Sequence, residues 1–196
     1  PLRWGALARL QQERWLQVEP ISGRRAGAMN AAVLASGWGE GGAAGARDAL
    51  AAYWDRVAQA ALFSPVQRTP IDRALGRWSL DNSPVFIGLQ LMARVFSPYD
   101  LNPRGYNPLS AILEQSIDFE HLAQSSIKLF VTATNVRTGR ARIFRNAEIT
   151  PDVLLASACL PTMFQAVEID GEAYWDGGYA GNPTITPLIR ESNAQD

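Results

Sequence analysis

Apolar residues at Trp4, Leu7, Ala8, Leu10 and Trp15, interrupted by charged ones, have the spacing of an amphipathic helix over residues 4–15. LQVEPIS, residues 16–22, follows as a short apolar strand whose Pro20 weakens its interior. Alanine, leucine and methionine dominate residues 26–36 and predict a second helix, with Gly37 as its stop. GWGEGGAAG, residues 37–45, carries no phosphate-binding glycine pattern and is expected to be a flexible surface loop. Beyond it, Leu50, Tyr53, Trp54, Val57, Ala61 and Leu62 mark another amphipathic helix over residues 46–62.

Residues 63–82 show no period and read as irregular. PVFIGLQLMARVF, residues 84–96, is the most apolar helix candidate. Packing on the core is the expected fate, and a lipid-facing lid is the alternative. YDLNPRGYNP is a turn cluster, and PLSAILEQSI a short helix after it. A hairpin is predicted from strands over residues 127–136 and 141–145 joined at RTGR. In TPDVLLASACLP, Thr150 caps a helix that Pro151 begins and Pro161 ends. Two short strands flank Asp170-Gly171, and Asp176 then stands in a glycine-rich turn. This alternation of helices and strands predicts a layered α/β domain with a largely parallel central sheet flanked by helices and a hairpin excursion.

Composition narrows the function classes. The chain has 196 residues, 47% hydrophobic and 19% charged, which suits one domain with a substantial core. A net charge of -1 supplies no overall field for nucleic acid, and none is expected as a partner. The single cysteine, Cys159, excludes an intrachain disulfide scaffold and fits a reducing cytoplasm; it reads as a small core residue. Any Ser-His-Asp triad would have to use the single histidine, His121, which reads instead as a surface or capping residue. No metal-ligand spacing surrounds it, so neither metal nor cofactor is expected. The absence of an initial methionine and the end at Asp196 give the expectation of a domain incomplete at both ends.

The chemistry concentrates in two places. PISGRRAGAMN places Gly23 and Gly27 around Arg25 on a strand-turn-helix corner, a setting in which hydrolases hold a nucleophilic serine. The positive end of the following helix favours a developing anion there. Far along the chain, YWDGGYAGNP puts Asp176 after a strand and before Gly177 and Gly178, where a carboxylate can take a proton directly from a hydroxyl.

Together these motifs resemble the patatin-like phospholipase family. ISGRRAGAMNAAVLASG is similar to that family's nucleophile elbow, and LLASACLPTMFQAVEIDGEAYWDGGYAGNP to the region ending in its catalytic aspartate. The resemblance implies a single, partial domain over residues 1–196 and a Ser-Asp dyad hydrolysing acyl esters of lipids without a metal. It also implies a lipid or acyl-ester substrate, met transiently at a membrane surface by a cytoplasmic protein. Carried over residue by residue, Asp176 matches the catalytic aspartate, Gly23 and Gly27 the elbow glycines, and Gly177 and Gly178 the glycines after the aspartate, while Arg25 occupies the nucleophile position.

Arg25 cannot attack a carbonyl carbon, and the glycine-rich loop that the family places before its first helix is not seen before Trp4. An inactive or impaired hydrolase is therefore expected. The alternative is a non-catalytic lipid- or anion-binding protein on the same scaffold, in which the guanidinium fork holds a phosphate or carboxylate. A damaged or incomplete form of an active protein is a third account of Arg25. Ser22, on the strand side of Gly23, is not expected to replace the nucleophile, and neither Cys159 nor Ser157 has an adjacent base.

Overall fold

Strand β2, Lys128–Asn135, is the axis of the sheet. Its residues 129–134 are all buried, as a strand covered on both faces requires. The structure is a computed structural model that describes residues 20–64, 66–76, 79–181 and 188–189. The helix expected over residues 4–15 and the first part of the following strand lie outside them.

β1, Pro20–Gly23, runs parallel to β2 with Gly23 opposite Val131. Strand β3, Ala141–Arg145, returns antiparallel to it, pairing from Phe130 to Thr134. β4, Val167–Ile169, and β5, Glu172–Asp176, form an antiparallel hairpin, and β5 pairs antiparallel with β2, Asp176 opposite Ala133. Because the β3 pairing overlaps that of β1 at Phe130 and Val131 and that of β5 at Ala133 and Thr134, β1 and β5 must share the opposite edge of β2. They approach each other along it from opposite directions. Their carboxyl ends meet head-on at Thr132.

The layered α/β class holds, but the sheet is mixed and not largely parallel: only β1–β2 is parallel among the described strands. Short connections account for two of the antiparallel pairings, β2–β3 and β4–β5. Asp170 and Gly171 have φ of 53° and 75°, a two-residue turn that can join only antiparallel neighbours.

Helix α1, Ala26–Leu62, corrects the flexible-loop expectation for residues 37–45. It is two helical arms joined at Gly41 (φ −154°, ψ 25°) and Gly42 (φ 57°, ψ −141°). The arms fold back antiparallel, with Trp54 Nε1 donating to Asn30 Oδ1 at 2.9 Å. Glycine serves close approach here, because a Cβ on Gly37 would lie 2.7 Å from Gly45 O and 2.6 Å from Ala49 Cβ. The first arm, residues 28–37, is buried all round, as a helix apolar on every side should be. As a whole α1 packs on β1 and β2 and on helices α5 (Pro108–Ser116) and α6 (Phe119–Ala123).

The described residues of 63–82 are irregular except for the one-turn helix α2, Pro70–Ala74. α3, Pro84–Met92, contains no buried residue, which overturns the expectation that it packs on the core. α4, Pro98–Leu101, follows with a Ser97–Asp100 capping box. Thr150 caps α7, Pro151–Ala156, which ends well before Pro161. Past Ala156 the carbonyls of Ser157 and Cys159 accept from Arg25 N and Asp176 N, so the backbone there serves other elements and not a helical ladder.

Gly37→Ala should lower stability by about 1–3 kcal/mol through overpacking, whereas Gly39→Ala, which meets no heavy atom within 4 Å, should raise it by up to about 1 kcal/mol. Urea denaturation midpoints of the two variants check this opposition.

Candidate active site

β1 ends at Gly23 and the chain turns at once into α1. Arg25 is the N-cap of that helix, with φ 54° and ψ −139°. A bulky residue in this region costs on the order of 1–3 kcal/mol and persists only where its surroundings fix it. Here they do so on both sides. A Cβ on Gly23 would lie 2.8 Å from Ala28 N, so strand and helix approach as closely as glycine allows. Arg25 N donates to Ser157 O at 3.2 Å, while Gly27 N turns back to Arg24 O at 3.1 Å.

From the facing strand end comes Asp176, fully buried. Its Oδ2 accepts from Arg25 Nε, and Oδ1 accepts from Gly178 N at 2.7 Å. The backbone is held as tightly: Asp176 N donates to Cys159 O at 2.9 Å, and Thr134 Oγ1 donates to Asp176 O at 2.8 Å. Gly177 lies against the backbone Thr132 O, where no Cβ would fit, and Gly178 lies against the guanidinium groups of Arg24 and Arg25. Arg25 is half exposed beside the buried carboxylate.

The sequence-predicted residues Gly23, Arg25, Gly27, Asp176, Gly177 and Gly178 thus come together. Other candidates do not join them. Ser22 Oγ is buried on β1 and has no hydrogen-bond partner among the described residues. His121 is exposed on α6, 3.2 Å from Asp118 Oδ2. Ser157 Oγ is spent on Leu154 O at 2.7 Å, although its carbonyl helps fix Arg25. Thr134 and the backbone carbonyls of Ser157 and Cys159 support the site without any sequence signal, since backbone acceptors leave no mark in side-chain identity.

A pocket of about 230 Å³ is lined in part by Leu155, Cys159, Phe164 and Val167, and by neither Arg25 nor Asp176. A larger one of about 770 Å³ sits between the α1 corner and α5, lined by neither Arg25 nor Asp176. Among the described residues no group of three or more His, Cys, Asp or Glu could hold a metal ion.

A strand-to-helix corner with a positive-φ residue, facing a buried carboxylate, defines the framework of an elbow-type α/β hydrolase. The family model for patatin-like phospholipase matches residues 2–189, and the chain belongs to that family. A search of curated proteins finds no match.

Burial, with the Asp176 carboxylate adding to it, pushes the Cys159 thiol up to about 11, so it stays protonated at neutral pH and is a poor nucleophile. Iodoacetamide at pH 8 should label Cys159 at least about tenfold more slowly in the folded chain than in urea, as followed by intact mass.

Proposed function

We propose that the Arg25–Asp176 corner is the acyl-hydrolase site of a patatin-like phospholipase in which Arg25 stands at the nucleophile position and leaves hydrolysis negligible. The observation that carries this reading is the strained backbone at Arg25 together with its side chain on Asp176. With serine at position 25, its Oγ would attack the ester carbonyl carbon while Asp176 takes the hydroxyl proton. Backbone N–H groups near the start of α1 would favour the tetrahedral oxyanion. Collapse would expel the alcohol, protonated by Asp176, and leave an acyl-serine. Water, deprotonated by Asp176, would then release the fatty acid and regenerate the hydroxyl.

In the chain as it stands, the guanidinium occupies the space of that hydroxyl and ties up the carboxylate. The substrate class is a lipid acyl ester, met by a cytoplasmic protein that visits a membrane surface transiently. No helix among the described residues is long and apolar enough to cross a membrane.

One observation favours a second reading. Arg25 engages Asp176 through Nε, and among the described residues its Nη atoms make no hydrogen bond. A half-exposed fork of this kind suits a phosphate or carboxylate headgroup.

A chromogenic short-chain ester separates these accounts. The unmodified chain should show no turnover above background, and Arg25→Ser should gain at least about 10²-fold, given what a nucleophile is worth. Arg25→Ser combined with Asp176→Asn should lose that gain. Turnover in the unmodified chain that survives Asp176→Asn would refute the dyad. Saturable headgroup binding lost in Arg25→Ala, without turnover in any variant, would favour the binding account.

A further inference from the structure

Among the described residues, the large apolar side chains left exposed fall between Leu62 and Tyr106, apart from Met163, Tyr179 and Ile189. The densest run is α3 and the turn after it, where Leu91 is 56% and Val95 77% exposed. We propose that residues 84–101 form a docking surface for an anionic lipid bilayer, with α3 sunk among the acyl chains. This inference deepens the lipid reading of the site by assigning the surface that would meet the membrane.

The distribution of apolar side chains on α3 selects a bilayer over a protein groove. A groove-binding helix presents one apolar stripe and keeps a polar back. α3 exposes Val85 and Leu89 along one line and Ile87 and Leu91 along another, with Gln90 its single polar side chain. At roughly 1.5 Å per residue its nine residues reach about 14 Å, enough to dip into one leaflet and too little to cross.

The charge around it is also complementary to anionic lipid. Over residues 84–106 the sequence has two arginines, Arg94 and Arg104, against one aspartate, on a chain whose net charge is -1. That aspartate, Asp100, is engaged by Ser97, whose N and Oγ both donate to its Oδ2. Arg94 and Arg104 are exposed at the apolar run, where guanidinium groups can meet lipid phosphates. Tyr99 and Tyr106, also exposed, are side chains suited to the headgroup level.

Finally, the patch is tied to the site. Ala166 N donates to Tyr99 Oη at 3.3 Å and Gln165 Nε2 to Asn102 O at 2.6 Å. The same loop accepts from Cys159 Sγ at Gln165 O, 3.0 Å away, and Cys159 O holds Asp176 N. A bilayer resting on residues 84–101 would therefore lie on the segment that is braced against the strand end carrying Asp176.

Flotation of the full chain with vesicles tests this. It should rise with phosphatidylcholine–phosphatidylglycerol vesicles, more than with phosphatidylcholine alone, and less as salt increases. The exposed double variant Ile87→Asp/Leu91→Asp should lose at least tenfold in partition coefficient with an unchanged circular dichroism spectrum. Arg94→Gln/Arg104→Gln should remove the preference for phosphatidylglycerol. The proposal fails if the unmodified chain stays unbound, if the aspartate variant floats equally well, or if that variant turns a dimer into a monomer while vesicle capture is unchanged, which would make a second copy the occupant. Capture is scored without hydrolysis, so either reading can fall while the other stands.

Discussion

Two strands share one edge of β2, and they arrive from opposite directions. Everything at the corner follows from that constraint. β1 stops at Gly23 and β5 at Asp176 because neither can pass Thr132 without colliding with the other. The residues immediately beyond each strand end are therefore pressed together, although they stand 151 positions apart in the chain. Gly177 continues from β5 into the gap and lies on the Thr132 carbonyl; Gly23 brings β1 against the first turn of α1. The corner is a consequence of register, and shifting either strand by one residue would turn its side chains to the other face.

Asp176 is the electrostatic cost of this arrangement. A carboxylate removed from water is tolerated when hydrogen bonds and an opposite charge replace its hydration. Gly178 N and Arg25 Nε supply both. Because Arg25 is half exposed, solvent screens its charge, and the pair contributes less than a fully buried one would. The same contact gives Arg25 two consequences at once: it compensates the carboxylate and it obstructs the position where a hydroxyl would react. Strain at the Arg25 backbone survives since strand, helix and the Ser157 carbonyl fix the bend independently of which side chain sits there.

Two apolar helical segments of the chain meet opposite fates. Residues 28–37 are buried on every side, between the sheet and the second arm of α1. Residues 84–92 are also largely apolar, yet none of them is buried. Burial is a property of a segment and its neighbours together, and hydropathy along the chain records only the first. What separates the two is connection: the first arm leaves directly from a central strand, whereas α3 sits in an excursion tethered through Tyr99, Asn102 and Gln165.

By itself the sequence determined the local elements whose signals are short-range. The β2–β3 hairpin, the Thr150 cap and the Asp170-Gly171 turn follow from neighbouring residues alone, as does the glycine-framed corner at Arg25. It also made the family resemblance legible, through motifs at both ends of the chain. Only the tertiary structure decided that GWGEGGAAG is a tight helical corner, that the sheet is mixed, and that α3 is uncovered. Each of these depends on what lies opposite in space: Ala49 against Gly37, β5 against β2, nothing against Leu91. The meeting of Arg25 with Asp176 belongs to the same class, since it is set by strand register along a shared edge, a quantity that no local pattern of side chains encodes.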